Sequence, residues 1–553
     1  MRVVPLRIAV VTFFGSALIC PAISAAKPPK GPAPTPLACT ALAAAGSDLV
    51  ATLGVKSAES HLVAAAGANA AYCQVNILYG TNPDQNINVR VGLPLNSVDG
   101  GTGGVQGAWN GRTQGIGGGG CSGSLAVNAP VNTGYVGSGS DAGHTGGDCE
   151  PGVNLDGTYN YQFINDFIRN GMKQQILLSK EVTETYYAQE PAYNYWNGCS
   201  TGGRQGYVLA QELPKELDGI LANAPAIYWT RFQTAQMFGQ IAMRELTGGP
   251  IPAPKLSQAT ASAVAACDGA DGVVDGVIDD PRTCSFSAQA NVCGTATAPA
   301  ANCLTPAEAL AIDKIWDGPR NAKGTKVWFG LDRGTNLSGL NGTNPFALGV
   351  TQFHWDEHDR AFDWKTVSIA EYPEVAQDGS RNIADVTDTF GDLKQFEKSG
   401  GKLLTLVGAN DQLIMPRGVI NYYRELATKG HKTDFEKQQE FYRLFRVPGA
   451  GHCSVPNAFS QLVNWVENGV APEQIIHATT VGGVPRTRLL CAYPQKAIYN
   501  GTGNTNDAAN YHCGGDLETT ATVCADVLAK YKHEADSKPD YKDDGVTKKE
   551  CEG

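Results

Sequence analysis

Gly198-Cys199-Ser200-Thr201-Gly202-Gly203-Arg204-Gln205-Gly206 decides how this chain is to be read. The aromatic run 193–196 precedes it, and an apolar segment with helical spacing, 207–213, follows. Strand, tight turn and helix in that order make a nucleophile elbow. The turn forces the central serine into a strained backbone conformation, small flanking residues let the helix pack close, and the hydroxyl emerges at the helix amino terminus. Among 65 glycines a Gly-x-Ser-x-Gly match also arises by chance, so the reading leans on two later segments. Pro448-Gly-Ala-Gly-His452-Cys453 sets a histidine in a glycine-rich loop, and Leu403-Leu-Thr-Leu-Val-Gly-Ala-Asn-Asp411 is a strand ending in an aspartate. A serine hydroxyl attacks poorly until a base takes its proton, and the base needs a carboxylate to fix its tautomer and stabilise its charged form. Ser200, His452 and Asp411 are the candidates for these roles.

Their order along the chain, serine then acid then histidine, is that of the α/β-hydrolases. Of the nine histidines, His144 in Ser140-Asp-Ala-Gly-His-Thr145 is the rival base. It precedes the nucleophile and is read as a loop residue bonded to neighbouring backbone. Asp411 could instead cap a helix over 415–426, but its place directly after an apolar strand favours the acid role. A hydrolase of this kind also needs a second backbone N–H for its oxyanion hole, from a glycine-rich loop upstream of the nucleophile. Trp109-Asn-Gly-Arg-Thr-Gln-Gly-Ile-Gly-Gly-Gly-Gly-Cys121 is that loop.

The 553 residues carry a net charge of −11, which argues against nucleic acid as a partner. A basic start, an apolar run over 8–19 and small residues over 22–26 read as a secretory signal, too short to be a membrane anchor. Removing it leaves 15 − 1 = 14 cysteines, because Cys20 goes with the signal. An even number in a secreted or periplasmic chain predicts a disulfide framework. Cys199 and Cys453 adjoin the proposed nucleophile and base, so contact between Ser200 and His452 brings these two cysteines within bonding range. Cys39, Cys73, Cys293, Cys303, Cys491 and Cys513 are also expected in disulfides. Cys121, Cys149, Cys524 and Cys551 receive no partner.

Strands are expected at 75–79, 87–93 and 217–225, helices at 163–175 and after the elbow. From about 228 to 398 strand signals thin out and cysteines and aromatics crowd together. An α/β-hydrolase can insert a lid at this point without disturbing its sheet. The chain therefore divides into a signal (1–26), a Pro-rich lead (27–38), a first core part (39–227), a lid (228–398), a second core part (399–505) and a carboxyl-terminal extension (506–553) with a solvated end. The fold class is α/β, a hydrolase core with a large inserted lid domain.

Within the lid, Cys267-Asp-Gly-Ala-Asp271-Gly-Val-Val-Asp275-Gly-Val-Ile-Asp279-Asp280-Pro-Arg-Thr-Cys284 puts five carboxylates in 13 positions and closes the loop with two cysteines. Hard oxygen donors with glycine turns suit calcium in a structural role, and the spacing is not that of an EF-hand. Trp328, Phe346, Phe353 and Trp355 are candidates for stacking on a substrate ring. The residues that bind substrate are otherwise unknown from sequence.

Together these segments, with Leu217-Asp-Gly-Ile-Leu-Ala-Asn-Ala-Pro225 and Phe441-Tyr-Arg-Leu-Phe-Arg-Val447, resemble the tannase/feruloyl esterase family of α/β-hydrolases over about 39–513. The resemblance implies a triad of Ser200, Asp411 and His452, a Cys199–Cys453 disulfide, and an oxyanion hole from the amide of Thr201 plus that of Gly119 or Gly120. It also implies a lid calcium held by Asp268, Asp271, Val273, Asp275 and Val277. Such enzymes hydrolyse small aromatic-acid esters: feruloyl and related hydroxycinnamoyl esters first, then galloyl esters or mono(2-hydroxyethyl) terephthalate. A silent hydrolase-fold module that binds phenolics or sugars is the reading from a different class.

Overall fold

The computed structural model describes residues 35–43, 53–342, 346–389, 391–427, 434–481 and 483–518. The signal, most of the Pro-rich lead, and the tail with Cys524 and Cys551 lie outside them. From Pro36 onward the chain makes one compact unit. Its main sheet is built from β1 (Ser57–Val63), β2 (Tyr72–Tyr79), β3 (Ile87–Pro94), β4 (Arg112–Ile116), β5 (Val136–Ser140), β6 (Tyr193–Cys199), β7 (Gly219–Asn223), β8 (Lys402–Gly408) and β9 (Tyr442–Val447). Their spatial order is β1-β2-β3-β5-β4-β6-β7-β8-β9. The first three strands are joined antiparallel, and the six from β5 to β9 run parallel.

Strand composition follows position in this order. β8 and β9 are buried along almost their whole length, because helices cover both faces of a parallel sheet and leave no solvated side to alternate toward. β1, at the far edge, alternates between exposed and half-buried residues. Helix α1 (Gly171–Tyr187) covers one end of the sheet, and α2 (Thr201–Glu212) packs on β6 and β7. The helix expected over 163–175 is broken: a short helix, Tyr161–Asn165, passes through a π-helical turn, Asp166–Asn170, before α1 begins. At that turn the Asp166 carboxylate accepts from the amides of Gln85, Gln162 and Asn170.

Between β7 and β8 the described residues add no strand to the sheet. It forms α3 (Trp229–Thr247), α4 (Ala253–Cys267), α5 (Pro306–Asp317), α6 (Ala347–Asp356) and α7 (Tyr372–Asn382), joined by long loops. α5 starts where its sequence dictates, with Thr305 and Glu308 forming a capping box ahead of Pro306. Met237, Phe238, Ile241, Val327, Phe353, Trp364 and Tyr372 give this insertion its own apolar cluster. Three of the proposed stacking aromatics are buried, Phe353 in this cluster and Trp328 and Trp355 in the main core. Phe353 is wholly buried against Phe362 and Tyr372, and Trp328 packs edge-on to Tyr228 and Phe329. Trp355 lies against Gly152 and donates its indole N–H to Cys149 O at 3.0 Å. Only Phe346, 45 % exposed, keeps a solvent face among the four.

After β9 come helix α8 (Phe459–Asn468) and two hairpins. β10 (Gln474–Val481) pairs with β11 (Val484–Cys491), and β12 (Lys496–Tyr499) with β13 (Tyr511–Gly514). β13 falls within the segment assigned to the carboxyl-terminal extension. Pairing with β12 and the Cys491–Cys513 disulfide carry the folded body past the expected boundary at 505.

Candidate active site

The elbow is formed as its sequence requires. Ser200 stands between β6 and α2 with φ 62° and ψ −124°, a conformation costly for a residue with a side chain and held only where the surroundings enforce it. Tight backbone contact behind it is the reason for glycine. A Cβ on Gly198 would lie 2.4 Å from both the carbonyl carbon and oxygen of Gly202. The amide of Ser200 donates to Asn223 O on neighbouring β7, and its carbonyl accepts from Ala226 N. The strained turn is thus pinned to the sheet on both sides.

β8 and β9 bring in the other two groups. Asp411, 2 % exposed, sits three residues beyond β8. One carboxylate oxygen accepts the amides of Leu413 and Ile414 at 2.8 and 2.9 Å, and the other meets Nδ1 of His452 at 2.8 Å. With Oδ1 held by two backbone donors, Oδ2 is aimed at the imidazole and fixes the ring tautomer that leaves Nε2 as the acceptor. Gln412 steadies the histidine loop from the same turn, its Oε1 accepting the His452 amide at 3.1 Å. Ser200 and His452 are each adjacent to a half-cystine of the Cys199–Cys453 disulfide, whose Cα atoms are 6.0 Å apart across 254 positions of sequence. That bridge brings elbow and histidine loop together. No hydrogen bond joins Ser200 to His452 among the described residues, a contact that commonly closes only around bound substrate. His144 stays out of this group. Its Nε2 meets Cys121 O at 2.6 Å and its ring packs on Phe163 and Phe167.

The glycine loop after β4 runs beside the elbow. Gly117 N bonds Asn197 O, Gly202 N bonds Gly118 O, and Gly118 N bonds the Gln205 side chain at 2.9 Å. Gly119 N is committed to Ser122 O at 3.1 Å. Of the two glycines considered for the oxyanion hole, Gly119 therefore has its amide spent, and Gly120 has no backbone bond of this kind among the described residues. Leu348 of α6 comes nearest to Gly120, with Cδ1 3.8 Å from where a Cβ would stand. The insertion reaches the loop there, and a second tie lies one disulfide away. Cys121 bonds Cys149, and the next residue, Glu150, meets His354 Nδ1 of α6 at 2.7 Å. Sequence gave no signal for the Cys121–Cys149 pair, for Gln412 or for Leu348.

The remaining disulfides are Cys39–Cys73, Cys267–Cys284, Cys293–Cys303 and Cys491–Cys513. Inside the Cys267–Cys284 loop, Asp268 accepts the amides of Asp275, Gly276 and Val277, and Asp271 accepts that of Val273. Asp275 pairs with Arg488 and, at 3.5 Å, with Arg486 of β11; Arg488 also reaches Asp279 at 3.2 Å. Burial, together with neighbouring carboxylates, raises the proton affinity of Asp275 and Asp279 against the pull of these arginines. Among the described residues no three His, Cys, Asp or Glu side chains stand close enough together to hold a metal as they are placed. The donor chemistry itself, three carboxylates and the carbonyls of Val273 and Val277 in a disulfide-closed loop, fits a hard cation. No helix among the described residues is long and apolar enough to cross a membrane.

This arrangement has counterparts in known proteins. The family model described as "Tannase and feruloyl esterase" matches residues 105–514. A protein named "Probable feruloyl esterase" from Arthroderma benhamiae is 34% identical over 483 residues, covering 80% of this chain and 86% of that one. Among solved structures, an esterase from Aspergillus oryzae superposes with a TM-score of 0.69 at 26% identity, over 80% of this chain and 90% of its own. Feruloyl esterase B from the same organism gives 0.72 at 24% identity, over 84% and 98%, and shares the fold. The matched span includes the glycine loop, the elbow, Asp411, His452 and the first carboxyl-terminal hairpin, and on that extent the chain belongs to the tannase and feruloyl esterase family.

Proposed function

We propose that this protein is a secreted serine ester hydrolase that cleaves esters of aromatic acids, feruloyl and related hydroxycinnamoyl esters foremost, through an acyl-enzyme. One observation carries the serine mechanism: the His452–Asp411 contact of 2.8 Å in a loop tied by disulfide to the elbow that presents Ser200. In the first half-reaction Ser200 Oγ attacks the ester carbonyl and His452 Nε2 takes its proton. Charge develops on the carbonyl oxygen, where the amides of Thr201, at the start of α2, and Gly120 converge. His452 then gives the proton to the departing alcohol. In the second half-reaction water replaces the alcohol, loses its proton to His452 and releases the aromatic acid with Ser200 restored. Asp411 orients the ring and stabilises it while charged.

The six disulfides among the described residues support export into an oxidising compartment. The acidic loop is read as a structural calcium site of Asp268, Asp271, Asp275 and the Val273 and Val277 carbonyls; the ion would neutralise the crowded carboxylates and take no part in the reaction. The test of function is hydrolysis of methyl ferulate, chlorogenic acid, methyl gallate and mono(2-hydroxyethyl) terephthalate by wild type and Ser200→Ala. Turnover fastest on the two hydroxycinnamoyl esters and lower by several powers of ten in the variant is expected. Activity within tenfold of wild type in Ser200→Ala overturns the mechanism, and a preference for the gallate or terephthalate ester overturns the substrate assignment.

A further inference from the structure

Thr201 enters the mechanism above through its amide, yet its side chain makes a contact of its own. The hydroxyl Oγ1 donates to Gly120 O at 2.6 Å, and the residue is 1 % exposed. The bonds at Gly117 and Gly118 fix earlier peptides, and the paired Gly119–Ser122 bonds close a turn around Gly120 and hold the peptide that carries its N–H, but none of them engages the Gly120 carbonyl. Gly120 has φ +57°, and a Cβ there would meet nothing nearer than Leu348 Cδ1 at 3.8 Å. With no side chain of its own, Gly120 offers no steric resistance to a tilt of its carbonyl within that turn. Among the described residues the Thr201 hydroxyl is the hydrogen bond that holds the Gly120 carbonyl.

We propose that the Thr201 side chain is a positioning group for the oxyanion hole. It clamps Gly120 so that the Gly120 amide meets the same point as the amide of Thr201, and one residue thereby supplies one donor and aims the other. The inference rests on the reading of Ser200 as nucleophile. An oxyanion donor acts on developing charge and not on the ground-state ester, so its misplacement lowers kcat and spares KM.

The test compares Thr201→Val, Thr201→Ala and Thr201→Ser on methyl ferulate, with inhibition by an aromatic boronic acid and by ferulate. A boronate forms a tetrahedral adduct on the serine and reads the hole, whereas ferulate reads ground-state binding. Thr201→Val and Thr201→Ala should lose about 10–100-fold in kcat, up to the cost of removing an oxyanion donor, with KM within about threefold. The boronate inhibition constant should rise by the same factor as kcat/KM falls, ferulate inhibition should stay put, and Thr201→Ser should recover wild-type values to within about threefold. Two variants of different bulk guard against a packing artefact, and a melting curve identifies one that does not fold. A kcat within twofold of wild type in the folded variant overturns the proposal, as does a fall in kcat without weaker boronate binding, or a Ser variant as slow as Val. In those cases an inactive Ser200→Ala leaves the nucleophile assignment standing; an active Ser200→Ala removes both.

Discussion

Replacing both cysteines of the Cys199–Cys453 bridge by alanine separates stability from geometry. In the loop-entropy treatment a bridge across 254 positions constrains the unfolded chain by about 5.5 kcal/mol at most, and bridges of this kind usually deliver about 2–4. About 480 folded residues at roughly 2.1 cal/mol/K each give an unfolding entropy near 1 kcal/mol/K, so a loss of about 3 kcal/mol moves the melting temperature by only about 3 °C. The effect on rate is of another size. Ser200 and His452 each sit one peptide from a bridge sulfur, and a misplacement of about 1 Å between reacting groups costs on the order of a hundredfold. The double variant should therefore melt a few degrees early, keep its far-UV spectrum, and turn over about two powers of ten more slowly at 25 °C. Steady-state kinetics beside calorimetry on the same preparation make the comparison. Activity retained within threefold, or both cysteines found as free thiols in active wild type by peptide mapping without reductant, refutes the reasoning.

Four further outcomes are expected. Asp411→Asn, which keeps the contact but favours the wrong imidazole tautomer, should lower kcat by up to about 10⁴-fold with little change in KM. Gly198→Ala should abolish turnover, because its Cβ would lie 2.4 Å from Gly202 backbone atoms; a normally active variant contradicts the elbow packing. Chelation should lower the melting temperature, the stabilisation lost being about 2.7 kcal/mol if calcium stood at a hundred times its Kd; calcium should restore it, Asp271→Ala should lose the response, and elemental analysis finding no metal contradicts the site. Burial, only partly offset by Arg231 and the Thr230 hydrogen bonds, raises the Asp388 carboxyl from 3.8 to about 6. A carboxyl whose folded pKa is raised binds its proton more tightly when folded, so this group adds stability as pH falls through 6, about 1.4 kcal/mol between pH 7 and 5. Asp388→Asn should remove that increment from the pH dependence of the melting temperature, and an unchanged dependence rules it out.

The sheet and the segments that carry Ser200, Asp411 and His452 are legible because their signals are local: the apolar run at 402–408, the strand at 442–447, and glycines where backbones touch. What remained hidden depends on direction and partner choice. Whether Gly119 or Gly120 keeps a free amide turns on the bond to Ser122, and the pattern of four glycines is silent on it. Cys121 and Cys149 lie in loops whose approach follows from β5 and the turns after it, so spacing names no partner. Trp328, Phe353 and Trp355 look like ring-stacking residues by type alone. The insertion has no strands of its own to pack on, and it buries these aromatics, Phe353 in its own cluster and Trp328 and Trp355 in the main core. The acidic loop read as a cation site by composition also meets Arg486 and Arg488, which arrive from β11, more than 200 positions later.

Among the six disulfides described, five join cysteines that are neighbours in sequence, and Cys199–Cys453 alone skips four others to find its partner. A chain made amino terminus first presents Cys199 to Cys267 long before Cys453 exists. An oxidant that pairs thiols as they appear then traps Cys199 with the wrong neighbour, which in turn orphans Cys284. Recovering the native set requires breaking a bond already made. Where the chain is oxidised as it emerges, the yield of correctly bridged protein depends on thiol–disulfide exchange, through attack of a thiolate on the misplaced bridge, and a host rich in disulfide isomerase should make more of it from the same message than one that merely oxidises.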